Sequence, residues 1–173
     1  MQMNNNDKLV RLRYALDLKD QDMAKIFKLG GADLSVDEVK AMLKRVYTED
    51  TDEFDDNKYE VTCNDRKLEM FLNGFITFKR GKRPLKPGEV EKPVVYTMNH
   101  GNGNNELLKK LKIALSMTSD DMLEVFDHAG MRISASELGA VLRKEGARNY
   151  QRCGDKFARN FIKGLTVMHR GDK

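Results

Sequence analysis

The sequence predicts an all-α protein made of two tandem pseudo-repeats of about four helices each, joined by a linker that contains proline and glycine. Three observations predict it. Residues 5–44 align on residues 104–143 at a constant offset of 99, without a gap and with 14 of 40 positions identical, among them Leu9/Leu108, Leu12/Leu111, Asp22/Asp121, Met23/Met122 and Phe27/Phe126. FLNGFITFKRG at 71–81 matches FIKGLTVMHRG at 161–171 at an offset of 90, in register with Cys63/Cys153. Self-similarity of this kind marks a repeated supersecondary unit. All three prolines, Pro84, Pro87 and Pro93, lie between the copies. The expected units are residues 1–81 and 104–173, with 82–103 as the linker.

Each helix has its own signal. The first, expected over about 7–18, puts Leu9, Leu12 and Leu16 on one face. The second, over about 21–29, carries Met23, Ile26 and Phe27 and stops at Gly30-Gly31, because glycine accepts the left-handed backbone of a helix C-cap. The third begins in LSVDEV. Ser35 caps it, Glu38 reaches back to the Ser35 amide, and Leu34 and Val39 form a hydrophobic staple. ISASEL assigns the same roles to Ser134, Glu137, Ile133 and Leu138. A repeated Ser and Glu also fits a catalytic pair, but capping accounts for the spacing. In the fourth helix Leu68, Phe71, Leu72 and Phe75 make an apolar stripe, matched by Phe157, Phe161, Ile162 and Leu165. Gly74 and Gly164 sit mid-helix, where glycine costs about 1 kcal/mol relative to alanine. A cost shared by both copies implies the close approach of another helix. Arg80 and Arg170 suit the negative end of the helix dipole, and Gly81 and Gly171 end the helices. Between the units, KRPLKPGEVEKPVVYTMNHGNG predicts an extended segment in which VVYTM has no obvious strand partner.

At 173 residues and 34% charged, the chain has the composition of a soluble protein. No apolar run approaches the ~20 residues of a membrane span, and the N-terminus lacks a signal-peptide core. A cytoplasmic location is the expectation. Charge is uneven: the net is −4 over residues 1–78, +4 over 79–103 and +4 over 104–173. A basic half raises the prospect of an anionic partner, against the plainer reading of solvated helix faces.

No catalytic, cofactor or metal site is predicted. His100, His128 and His169 lack partners at a ligand or nucleophile spacing. Cys63 and Cys153 occupy equivalent positions and are expected to be small buried residues rather than a redox pair. The acidic stretch 49–56 fails as a calcium loop: from Asp50, Asp55 falls on the turn glycine and Val61 on the bidentate glutamate. A solvated acidic loop is expected there. Glycine-rich phosphate loops and dinucleotide fingerprints are absent.

NNNDKLVRLRYAL, NNELLKKLKIAL, FLNGFITFKRG and NYQRCGDKFARNFIKGL together resemble the YehS-like family of bacterial proteins of unknown function. The resemblance covers nearly the whole chain. It implies an all-helical tandem repeat and brings no activity. The stretch YTEDTDEFDDNKYEV departs from the family pattern by being longer and more acidic.

The function expected is therefore non-enzymatic binding. RNA or DNA is the leading partner, held mainly by its backbone through Lys79, Arg80, Lys82, Arg83, Lys86, Lys109, Lys110, Lys112, Arg143, Lys144, Arg148, Arg152 and Arg170. Helices two and three loosely resemble a helix-turn-helix. Yet Asp37 in one copy, and Ala135, Ser136 and Gly139 in the other, are poor readers of base edges. The alternative is a protein-interaction adaptor with Phe54, Tyr59 and Tyr150 as apolar anchors.

Overall fold

The computed structural model describes residues 2–47, 49 and 56–171. Among them are eight helices: α1 (Asn5–Ala15), α2 (Asp20–Leu29), α3 (Val36–Leu43), α4 (Asp65–Arg80), α5 (Gly103–Ala114), α6 (Ser119–His128), α7 (Ala135–Leu142) and α8 (Asp155–Arg170). A single short antiparallel pair, β1 (Arg45–Val46) with β2 (Lys58–Tyr59), follows α3. No described helix is long and apolar enough to cross a membrane. The segment 81–102 contains neither helix nor strand, VVYTM included.

Caps set the helix starts. Asn4 and Asp7 bond reciprocally at α1, as Thr118 and Asp121 do at α6. Hydrogen bonding to Thr118, to its backbone amide first and its side chain second, holds the Asp121 carboxyl below its usual range. Ser134 and Glu137 complete the expected capping box at α7. At α3 only half of it forms: the Ser35 hydroxyl accepts from the Glu38 amide at 3.1 Å. The left-handed residue after α2 is Gly31, at φ 99°, with its counterpart Gly130 at φ 74°.

The mid-helix glycines are contact points, as their cost implied. A Cβ on Gly74 would lie 1.8 Å from the Ile26 carbonyl oxygen, and one on Gly164 would lie 2.0 Å from that of Val125. So α4 presses on α2 and α8 on α6, backbone against backbone. Phe27 packs on Phe71 in one unit and Phe126 on Phe161 in the other, at ring-centroid distances of 5.1 and 5.3 Å.

The two units are interlocked. α1 packs chiefly on α8, and α5 on α4, so the first helix of each unit lies against the last helix of the other. One hydrophobic core therefore runs through both, from Leu9 and Phe71 to Leu108 and Phe161. The Arg-Gly endings contribute to this junction. Arg80 donates to the Ile113 carbonyl at the end of α5, and Arg170 to the equivalent Tyr14 carbonyl at the end of α1. Each arginine thus satisfies a terminal carbonyl of the opposite unit.

Asparagines at the helix starts brace each unit in the same way. Asn6 donates to the Met42 and Val61 carbonyls and accepts from the Cys63 amide at 2.9 Å. Asn105 donates to the Val141 and Gln151 carbonyls and accepts from the Cys153 amide at 2.9 Å. Both side chains are buried, with every polar atom paired, which is the condition for a buried amide to stabilise.

Candidate nucleic-acid interface

The thirteen expected contact residues divide by what already engages them. Arg80 and Arg170 are joined to the opposite unit, and Arg170 also reaches Asp17 at 2.8 Å. Lys110 donates to Asn73 at 2.7 Å and lies 4.0 Å from the buried Glu69 carboxylate. Lys109 pairs with Glu106 on its own helix, and Lys79 sits 5.9 Å from the Phe75 ring centroid. Arg80, Arg170 and Lys110 thus join parts of the fold, whereas Lys109 and Lys79 are engaged on their own helices. In the connecting segment Lys82 pairs with Glu91 and Arg83 with Glu89. Hydrogen bonds from Arg83 and from the Lys86 amide keep the Glu89 carboxyl below its usual range. Such exposed pairs are worth little and exchange readily with phosphate.

Of the six that remain, Lys86 stands in the connecting segment and Lys112 on α5, and the other four concentrate between α7 and α8. Arg143, Lys144, Arg148 and Arg152 lie within one loop, 143–152, and all four are exposed. Arg143 donates to the Arg148 carbonyl, which draws the loop together, and Arg152 donates to the His100 carbonyl. Lys144 and Arg148 make no side-chain hydrogen bond or ion pair with any described residue. The loop's one acid, Glu145, is engaged by the Asn102 amide at 2.9 Å. Beside the loop opens a shallow cleft of about 440 Å³, lined in part by Phe157, Asn149 and Gln151. Burial, then the Glu145 charge, raises the Tyr150 phenol above its ordinary value, so it stays protonated at neutral pH.

Other expectations meet different surroundings. Asp37, Ala135 and Ser136 are exposed, and α3 and α7 are eight residues each, so both present short, acidic or small faces. Tyr59 is no free anchor: it is half-buried and its hydroxyl donates to Asp7. Phe54 and most of the acidic stretch lie outside the described residues. Burial pushes both the Cys63 and the Cys153 thiol up to about 12, leaving each protonated and a poor nucleophile at neutral pH. Among the described residues no three His, Cys, Asp or Glu gather as a metal set.

Two placements lay beyond the sequence reasoning. Glu69, 1% exposed, accepts from the Thr97 and Met98 amides and pins the end of the connecting segment. Its neighbours Leu68 and Phe71 mark a core helix, and nothing local announces the distant backbone it holds. Lys8 is 7% exposed. Its signal was present in the alignment, where the buried Leu107 is its counterpart.

Comparison with known proteins identifies a family and a relative. A family model described as a protein of unknown function, DUF1456, matches residues 5–81 and 104–171. The uncharacterised protein YehS of Escherichia coli (strain K12) is 34% identical over 172 residues, covering 99% of each chain. No solved structure matches.

Proposed function

The chain belongs to this family of proteins of unknown function, DUF1456, and from that premise we propose that it is a non-catalytic protein that binds single-stranded nucleic acid through loop 143–152. The observation that carries the reading is the loop itself. Four exposed cations stand together, two of them uncommitted, while most others in the set are spent inside the fold or on glutamates. Cations close in space gain by sharing successive phosphates, whose counterions are released on binding.

The adjacent cleft favours single strands. The part of the Phe157 ring left open by its packing on Phe126 offers a surface for a base, and asparagine and glutamine side chains suit base edges. The first unit has no equivalent: Lys67 stands at the Phe157 position, Val61 at Gln151 and Tyr59 at Asn149. The activity therefore belongs to the second unit, as the charge distribution implied.

Fluorescence anisotropy of the full chain with labelled single- and double-stranded RNA and DNA tests this. Four phosphate contacts predict a log–log salt slope of roughly −3 for a single strand. Lys144→Glu with Arg148→Glu should weaken binding at least about tenfold, or ~1.4 kcal/mol. Binding that ignores these two changes would sink the proposal.

A second reading has its own support. Val90, Val94 and Val95 in the connecting segment are 80%, 61% and 77% exposed. Apolar residues grouped in an extended segment favour a protein partner. That complex would tolerate salt and fail on Val94→Asp with Val95→Asp, which separates the two readings in one set of titrations.

A further inference from the structure

We propose that the cavity between the two units is a binding site for a small molecule bearing a carboxylate or phosphate, with Lys8 as its anchoring charge. The inference does not rest on the nucleic-acid reading, although Arg152 of loop 143–152 also lines this cavity.

The cavity is about 680 Å³, within the range of small-molecule sites. Its walls come from the starts of α1, α4, α5 and α8 and from around β2. Both members of three equivalent pairs line it: Asn5/Asn104, Cys63/Cys153 and Asp65/Asp155. The cavity therefore sits where the relation between the units places their helix starts together. Four helices of 11 to 16 residues direct their positive ends towards one space. Each end carries about half a unit charge, and amide N–H groups there suit an oxyanion. Asn4 and Asn64 cap α1 and α4, whereas α5 and α8 have no side-chain cap.

Lys8 is the independent observation. It lines the cavity and is more than nine-tenths buried. Its ammonium makes no hydrogen bond with any described residue and no ion pair within 4.0 Å. The nearby carboxylates are otherwise engaged: Asp65 accepts from Asn5, and Asp155 from the Met3 amide and Arg159. The Lys8 Nζ lies 3.7 Å from where a Gly103 Cβ would stand, against the positive end of α5. A buried cation beside a positive helix end is unfavourable twice over, through lost hydration and through like charge. Burial accordingly lowers the Lys8 pKa from its ordinary value, with Asp155 and Asp65 opposing from a distance. Packing does not demand this charge, because Leu107 fills the same position of the second unit. An oxyanion against Lys8 relieves the arrangement at once. Asp65 and Asp155 also line the cavity, and acceptor capacity left on their carboxylates favours a molecule that carries hydroxyl or amino donors.

Isothermal titration calorimetry of the full chain against orthophosphate, glycerol 3-phosphate, malate and glutamate, with glycerol as uncharged control, tests the site. We expect 1:1 binding of at least one oxyanion, weakened at least about tenfold by Lys8→Met and unchanged by Lys144→Glu with Arg148→Glu. The phosphate and carboxylate arms identify the head group. Circular dichroism checks that the Lys8→Met protein is folded, and Lys8→Gln gives the same test should it be poorly folded. Absence of 1:1 oxyanion binding up to about 10 mM, or equal binding by wild type and a folded Lys8 variant, overturns the proposal.

Discussion

Lys8 and Leu107 hold the same position in the two copies, and the difference between them has a stability consequence independent of any ligand. Burial disfavours the ammonium, so its folded pKa lies below the ordinary 10.5. Between those two values the unfolded chain binds more protons than the folded one, and stability rises with pH. Below that window the cost of the buried charge is constant. Lys8→Met removes it and leaves an apolar side chain where Leu107 already shows one fits. The variant is expected to melt higher than wild type at pH 7, each kcal/mol being worth roughly 2–4 °C in a chain this size. The gap should narrow as pH rises towards 10.5. Paired thermal melts across pH 7–10 measure both effects, and a lower melting temperature for Lys8→Met at pH 7 would show that the ammonium is stabilised rather than strained.

Among the helices, the glycines separate contact from propensity. An alanine in a helix interior is normally better than glycine by about 1 kcal/mol. At Gly74 the added methyl meets the Ile26 backbone, so Gly74→Ala must force α2 and α4 apart at a cost of roughly 1–3 kcal/mol or more. Gly164→Ala is expected to do the same between α6 and α8. Gly139 in α7 is the control: nothing lies near a Cβ there, and Gly139→Ala should stabilise by up to about 1 kcal/mol. Urea denaturation of the three variants checks the signs. This contrast also measures what was legible. Apolar periodicity, capping residues and the internal repeat together located all eight helices, and the doubled glycine forecast a close neighbour. The short β1–β2 pair was missed because two residues per strand carry no alternation to detect.

Across the whole molecule, the exchange of first helices between units was not legible. α1 would present the same stripe to α4 or to α8, and only the folded chain distinguishes them. The loop 143–152 could be read from its charge, but its uncommitted members could not, because Arg80, Arg170 and Lys110 find partners on helices remote in sequence. The cavity was invisible for the same reason: its walls come from segments as far apart in sequence as Gln2 and Asp155. Interlocking predicts that neither half is independent. Residues 1–101 and 102–173, produced separately, should show low helicity or self-associate, because each lacks the helix that covers its own α1 or α5. Mixed, they should regain helicity and elute as one complex. Circular dichroism and size-exclusion chromatography decide it, and a well-folded monomeric half would contradict the interlocked core.

The pairing of α1 with α8 also sets an order of events during synthesis. Leu9 and Leu12 are made well before α8, whose 16 residues complete the surface that covers them. At about 5–20 residues per second, translation of this chain leaves that stripe uncovered for roughly ten to thirty seconds. Until α8 has been made, the nascent chain therefore carries an apolar stripe that the folded protein buries.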